Sequence, residues 1–263
     1  MISYSGPTAM KYKCIFFVFL LSAYAIIAHP QQTPEPSISI IIDDLGYKQK
    51  EDMLALSLPG PIAYAILPHA PYTQKVSAIA SQNGKEILLH QPMQALENNE
   101  LLGPGALTLN MTQKEFEETL KKNMNDISNI IGINNHMGSL LTRHPGHMQW
   151  LMNVLKKNKY IYVDSLTSVN SVAGKIAKKN KIPFLKRDIF LDNKKDFEYI
   201  TKKFFELIAV AKKEGTALAI AHPHSNTIET LSKLLQNIDK YGVKLIGIKS
   251  LIKIRNKNNY IDT

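Results

Sequence analysis

The sequence predicts a parallel α/β fold, either a barrel or a wide open sheet, and two patterns carry that expectation. About eight short apolar runs are spread over residues 37–248, and stretches with helical periodicity stand between them. Alternation of this kind spells repeated βα units, whose strands lie parallel and side by side. The first run, SISIII, also holds four isoleucines, a β-branched composition that suits a strand buried on both faces. No internal sequence repeat is visible.

Taken in order, the first strand is expected over residues 37–42 and the second, IAYAIL, over 62–67. A helical pattern over 71–82 ends at Asn83-Gly84, a natural helix stop. KEILL (85–89) is the third strand. Thr112 and Glu115 have the spacing of a capping box and open a helix running to about Asn129. IIGINN (130–135) is the fourth strand, a helix covers 147–158, and YIYVD (160–164) and IPFLK (182–186) follow. A helix over 196–214, the strand TALAIA (216–221), a helix over 227–241 and the strand VKLIGI (243–248) complete the series.

The N-terminus is of another kind. KYKCIFFVFLLSAYAIIA sets two lysines before a short apolar run that ends in small residues, the three-part pattern of a secretory signal peptide. Cleavage is expected after Ala25 or Ala28, and Met10, directly before Lys11, is an alternative start. The alternative is an uncleaved anchor, but the run is short against the roughly 20 residues of a full span. The expected organisation is a signal peptide over 1–28, a Pro/Gln-rich linker over 29–36, one globular domain over 37–254 and a tail over 255–263. Export across the inner membrane to the periplasm follows from that leader.

Composition narrows the chemistry. The only cysteine, Cys14, lies in the leader, so the exported domain has no disulfide, no thiolate metal site and no cysteine nucleophile. The formal charge of +10 falls to +8 without Lys11 and Lys13. The remaining lysines scatter along helical segments with no aromatic-interleaved basic stripe, and nucleic acid is not an expected partner. A basic surface is attracted to anionic cell-wall polymer or lipid headgroups, although a lysine-rich solvated surface has the same composition.

The chemistry gathers at the ends of the strands. Asp43 and Asp44 follow the first, His69 the second, His90 the third and His136 the fourth. The fifth ends at Asp164-Ser165, Arg187-Asp188 follow the sixth, and His222 ends the seventh. Parallel βα folds bring the carboxyl ends of their strands to one face, where sites form. Each residue alone has a plain alternative: a loop histidine, a turn cap at Asp164, a helix cap at Asp43-Asp44, an ion pair at Arg187-Asp188. Together, carboxylate and histidines on one face suit a divalent cation of the zinc type, with nitrogen and oxygen ligands and an open position. Such a cation also balances two adjacent carboxylates at the rim of an apolar layer, which otherwise oppose folding.

IIIDDLG, LLHQPM, NNHMGS, VDS, KRDIFLD and AIAHPH, in this order over roughly residues 37–254, resemble the divergent polysaccharide deacetylase family, a distant branch of the NodB-homology carbohydrate esterases. The resemblance implies a distorted (β/α) barrel of about seven parallel strands and hydrolysis of an N-acetyl group on a sugar. It implies Asp43 as general base, Asp44 as metal ligand and His222 as general acid, with His224 a second contender. Where the wider superfamily carries two histidines four residues apart, this chain has His90 and then Gln94, a poor ligand, so His136 becomes the candidate third ligand beside Asp44 and His90. Zn2+ or a similar divalent cation is the implied cofactor. The implied substrate is acetylated polysaccharide or a peptidoglycan glycan, with partners in cell-envelope remodelling as further candidates.

Asp164 or Asp188 is expected to orient His222, and Arg187 to pair with one of them. GPGALTLN (103–110) reads either as a flap over the mouth or as a plain connection. Three rival activities and one non-catalytic reading stand beside the deacetylase. A phosphoesterase would need further bridging carboxylates, which are not apparent, and a serine hydrolase would need a G-x-S-x-G elbow, which does not occur. Glycoside cleavage by paired carboxylates leaves the histidines unexplained. The non-catalytic reading is an envelope accessory protein that keeps the fold and binds glycan or a partner; the altered second motif favours it.

Overall fold

The structure, a computed structural model, describes residues 1–6 and 35–261, and the side chains of the last helix to residue 256. The expected signal peptide beyond residue 6, and the linker up to residue 34, lie outside the described residues. Residues 1–6 form no regular element. Everything below concerns the compact unit Pro34–Thr263.

Its strands are β1 (Ser37–Leu45), β2 (Ala63–Ile66), β3 (Glu86–Met93), β4 (Ile130–Met137), β5 (Ile161–Asp164), β6 (Phe184–Lys186), β7 (Ile189–Phe190), β8 (Thr216–Ala221) and β9 (Lys244–Leu245). The helices are α1 (Gln49–Leu56), α2 (Thr73–Gln82), α3 (Gln113–Asn125), α4 (Pro145–Asn158), α5 (Ala173–Asn180), α6 (Phe197–Glu214), α7 (Ser225–Leu235) and α8 (Ile248–Ile261). Eight strands form one path in the order β6-β5-β4-β3-β2-β1-β8-β7, with β9 paired to β1 off that path, and all pairings are parallel.

The two edges of this path, β6 and β7, are consecutive in sequence. Only Arg187 and Asp188 separate them, so the edges lie within about 11 Å of each other, three Cα steps of about 3.8 Å. The Arg187 amide bonds to the Asp164 carbonyl on one side, and the Asp188 amide to the Leu218 carbonyl on the other. The sheet must therefore curl almost into a ring, the distorted barrel expected. Its path counts eight strands, in keeping with the about seven that the resemblance implies, and the two-residue β7 is the one on that path too short to leave a pattern in sequence.

Alternation along β1 sorts its side chains between two apolar layers. Ile38, Ile40 and Ile42 pack with the surrounding helices, whereas Ile41 joins Ala63, Ala65, Leu88, Val163, Leu218 and Ile220 on the other face. Helix α8 seals that inner layer with Ile248, Leu251 and Ile252. Its position explains why the expected strand over 243–248 is cut to two residues. The Glu86 carboxylate accepts the Ile248 and Lys249 amides, satisfying donors that a helix start leaves free and favouring a helix there. The helix also runs across the boundary expected at residue 254. Arg255 belongs to the domain rather than to a tail, since its guanidinium bonds to Asp188 and to Thr216.

The other expected helices form within a few residues of their predicted limits, except that α7, expected to run to 241, ends at Leu235 and is followed by a separate 3-10 turn over Ile238–Tyr241. The capping box at α3 is made in full, Thr112 Oγ1 accepting from the Glu115 amide and Glu115 reaching back to the Thr112 amide. Helices α1 and α5, eight residues each, left no legible pattern in the sequence.

Candidate metal centre and active site

Asp43 lies inward by the same alternation that places Ile41, and its side chain is buried. Asp44 would then point outward, but the ladder between β1 and β2 slips between Ile42 and Leu45 and the backbone at Asp44 turns to φ +61°. A bulge of this kind re-aims one side chain, and here both carboxylates reach the mouth of the barrel. The turn is held from below, where the buried Asp52 carboxylate accepts the Gly46 amide at 3.0 Å.

Three ligand-type atoms converge at Asp44. Its Oδ1 lies 3.0 Å from His90 Nε2 and 2.8 Å from His136 Nδ1, and the two imidazole nitrogens are 3.2 Å apart. His90 comes from β3 and His136 from β4, neighbours in register with His90 opposite Asn134 and His136 opposite Pro92. Asp44 Oδ1 is buried, yet among the described residues it has no hydrogen bond of acceptable geometry.

The surrounding polarity explains why. Asn134, fully buried, faces Asp43 Oδ1 with its side-chain amide at 2.8 Å, and a carboxylate accepts, so the NH2 must point there. Its oxygen then faces His90 Nδ1 at 2.8 Å, and that nitrogen must carry the proton. His90 Nε2 is left with a bare lone pair aimed at the Asp44 carboxylate. A lone pair against an anion 3.0 Å away is held only by a cation between them, either a proton or a metal. Ligands at about 2.1 Å on a tetrahedral zinc lie about 3.4 Å apart, close to the triangle seen here. The donor set of one carboxylate and two imidazoles also fits a zinc-type ion.

The protonation equilibria bear the same mark. Burial drives the Asp44 carboxyl up, but the His136 and His90 imidazoles outweigh it and hold the carboxyl well below the usual range. Burial dominates at Asp43 and raises its pKa, against the opposing pull of His90 and His222. At His90, burial pulls the pKa down, and the Asp43 and Asp44 charges raise it overall.

His222 directly follows the apolar strand β8 and stands on the other side of Asp44, its Nε2 3.6 Å from Asp44 Oδ2. Its partner is neither Asp164 nor Asp188. Asp164 caps the turn after β5, accepting from the Leu166 amide at 2.8 Å and from Ser171 Oγ at 2.6 Å. Asp188 points outward to the Leu218 amide and to Arg255. Asp192 takes the orienting place: Oδ1 lies 3.1 Å from His222 Nδ1, and Oδ2 accepts from the His222 amide and from Thr227 Oγ1. Burial pulls the His222 pKa down, but the Asp192 bond and the Asp44, Asp192 and Asp43 charges raise it to about 9. Asp192 ends KRDIFLD, two residues past a strand two residues long, so its position just beyond a strand end was the one signal the sequence offered.

Other expected site residues lie elsewhere. Arg187 forms no ion pair within 4 Å among the described residues; its guanidinium donates to the Ser165 and Leu166 carbonyls and lies over the Phe190 ring. His69 bonds to Asn123 and Asp126 on and just after α3, away from the mouth. His224 precedes α7 and stacks on His222 with ring centroids 5.7 Å apart. It groups with Asp192 and His222, but the Asp192 carboxylate already accepts three donors, so that group is a hydrogen-bonded support. Gln94 points away from the triangle, its Oε1 accepting the Leu109 amide at 2.7 Å. With Leu107 bonded on both sides to the end of β3 and buried, 103–110 is a pinned wall rather than a flap.

Comparison with known proteins bears on the family and the fold. Residues 40–252 match the sequence profile of the divergent polysaccharide deacetylase family. An uncharacterized Haemophilus influenzae protein is 36% identical over 236 residues, covering 90% of this chain and 82% of that one. The fold is similar to an uncharacterized Agrobacterium tumefaciens C58 protein, with a TM-score of 0.80 at 23% identity, covering 84% of this chain and 90% of that one. A wild-type Bacillus anthracis protein, named as a CE4 family pseudoenzyme, superimposes with a TM-score of 0.51 at 11% identity, covering 84% of this chain and 66% of that one.

Proposed function

The chain belongs to the divergent polysaccharide deacetylase family, and from that premise we propose that it is a metal-dependent hydrolase acting on N-acetyl groups of cell-envelope polysaccharide. The observation that carries this reading is the Asp44-His90-His136 triangle, with a buried, unbonded Asp44 oxygen at its centre and Asp43 and His222 on its flanks.

When bound there by Asp44, His90 and His136, a zinc-type cation supplies Lewis acidity, acidifying water and polarising an acyl oxygen. The rest falls to the side chains. Asp43, with Oδ1 tied to Asn134, keeps Oδ2 free to accept the proton of the attacking water, and its raised pKa makes it a stronger base than an exposed carboxylate. His222, held through Nδ1 by Asp192, presents Nε2 to the mouth and is protonated at neutral pH. It is therefore placed to protonate the departing amine, which is too basic to leave as an anion. The leader segment supports a periplasmic place of action, where such glycans lie, and N-terminal sequencing of the protein recovered from the periplasm tests it.

The decisive experiment measures acetate released from fully N-acetylated glycan fragments by the zinc-loaded protein. Asp43→Asn is expected to keep zinc and lose activity by about 100-fold or more, within the range for removing a general base. Asp44→Ala is expected to lose zinc itself. Undiminished zinc binding in Asp44→Ala would overturn the ligand assignment. A second reading, a non-catalytic envelope protein that keeps the site, is favoured by the absence of a histidine at Gln94 and by the fold shared with a pseudoenzyme. Tight zinc binding with no acetate release from any acetylated glycan would decide for it.

A further inference from the structure

Asn134 is hydrogen-bonded both to Asp43 and to the metal-ligand candidate His90. It sits on β4, fully buried, with its NH2 2.8 Å from Asp43 Oδ1 and its oxygen 2.8 Å from His90 Nδ1. A second, longer contact from the same NH2 reaches Ser165 Oγ at 3.4 Å. Its neighbour Asn135 faces the other way, accepting from Tyr162 Oη and the Ser165 amide and donating to the Met137 carbonyl. That second asparagine fixes the path of the chain, so that Asn134 is presented inward and His136 follows in the ligand triangle.

We infer that Asn134 is a positioning residue that couples the metal site to the general base, holding His90 as its Nδ1–H tautomer while fixing the orientation of Asp43. The inference rests on the deacetylase reading for its consequences, though not for its geometry. The amide is directional. An acceptor at Asp43 forces its NH2 to that side, and the oxygen on the opposite side forces the proton onto His90 Nδ1. Only in that tautomer does Nε2 offer a lone pair to the triangle. Partners behind a ligating imidazole set its tautomer and basicity, and their loss typically lowers metal affinity 10–100-fold. The same amide occupies Asp43 Oδ1 and so leaves Oδ2 as the proton acceptor. One residue thus sets which nitrogen binds and which oxygen reacts.

Two substitutions separate these roles. Asn134→Leu removes both contacts at similar volume, and its zinc affinity, read by competition with a chromogenic chelator, is expected to fall by about 10–100-fold. Asn134→Asp keeps an acceptor for His90 Nδ1–H but sets a carboxylate against Asp43. It is expected to bind zinc no more weakly than wild type while releasing acetate far more slowly. Equal zinc affinity in wild type and Asn134→Leu, or an Asn134→Asp variant as weak as Asn134→Leu, would overturn the inference. If either variant fails to fold, the wild type still decides through long-range 1H–15N spectra of histidine-labelled protein, with His90 identified by its loss in His90→Gln. A proton on Nδ1 is expected whether or not Nε2 is also protonated, and an Nδ1 without a proton sinks the proposal. A wild type that binds no zinc would instead defeat the metal reading, and its zinc-free spectrum would still report whether His90 Nδ1 carries a proton.

Discussion

Asp43 and Asp44 are adjacent in sequence and have opposite surroundings. Asp43 is enclosed and its carboxyl is raised by burial, whereas two imidazoles hold the Asp44 carboxyl low. Like pairs of carboxyl groups take different roles when their environments push their pKa values apart. The same reasoning gives a pH profile. Activity needs Asp43 ionised and His222 protonated, so it should rise with pH as Asp43 loses its proton and fall on the alkaline side as His222, held up by Asp192, loses its own. Asp192→Asn removes the charge behind His222 and is expected to move the alkaline limb of kcat down in pH, with lower turnover. An alkaline limb unmoved in that variant would show that His222 is not the acid. Stability follows with its own sign. The folded pKa of His222 lies above its ordinary 6.5, so its contribution is complete below about 6.5 and is lost as pH rises through about 9.

At the scale of elements, the site depends on departures from regularity. The strand pattern of SISIII predicts β1, but pure alternation would send Asp44 to the outer face. The bulge and the φ of +61° at Asp44 bring it back. The end of β3 shows a similar reassignment. A reading by motif alone puts residue 94 beside His90 in the site, yet its Oε1 bonds the Leu109 amide and its backbone amide bonds Leu107. Gln94→His is therefore expected to leave zinc affinity unchanged in chelator competition and to lower the melting temperature through the loss of that anchor. A clear gain in zinc affinity would mean that the 94 side chain can swing into the triangle.

At the scale of the whole molecule, the barrel closes through two residues, Arg187 and Asp188, between its edge strands. The closing turn is tied down from a distance: Asp188 accepts from the Leu218 amide and from Arg255 in the last helix. Both partners of that ion pair are about three-quarters buried, at 24% exposure each. Removing one side of a charge-assisted bond costs about 1.5–3 kcal/mol in typical cases, at the lower end where water still reaches the group. Arg255→Ala is thus expected to lower stability by about 1–2 kcal/mol in urea unfolding, with zinc affinity retained. Unchanged stability would show that α8 does not hold the closure.

Much of this was legible without coordinates. The alternation of apolar runs and helical patterns, read residue by residue, gives a parallel sheet, barrel or open, the family resemblance adds the barrel, and the polar residues just past those runs include Asp43, Asp44, His90, His136 and His222. That works because strand periodicity and the end of a strand are local properties, and a parallel fold gathers strand ends on one face. Partnership is not local. That Asp192 rather than Asp164 or Asp188 stands behind His222, that Arg187 binds carbonyls, that Asn134 joins Asp43 to His90 across 91 and 44 residues of chain, and that Arg255 is part of the domain were decided only when the sheet curled. A hydrogen bond depends on where two atoms arrive to within a few tenths of an ångström, and that is set by register, bulges and closure, which no single stretch of sequence contains.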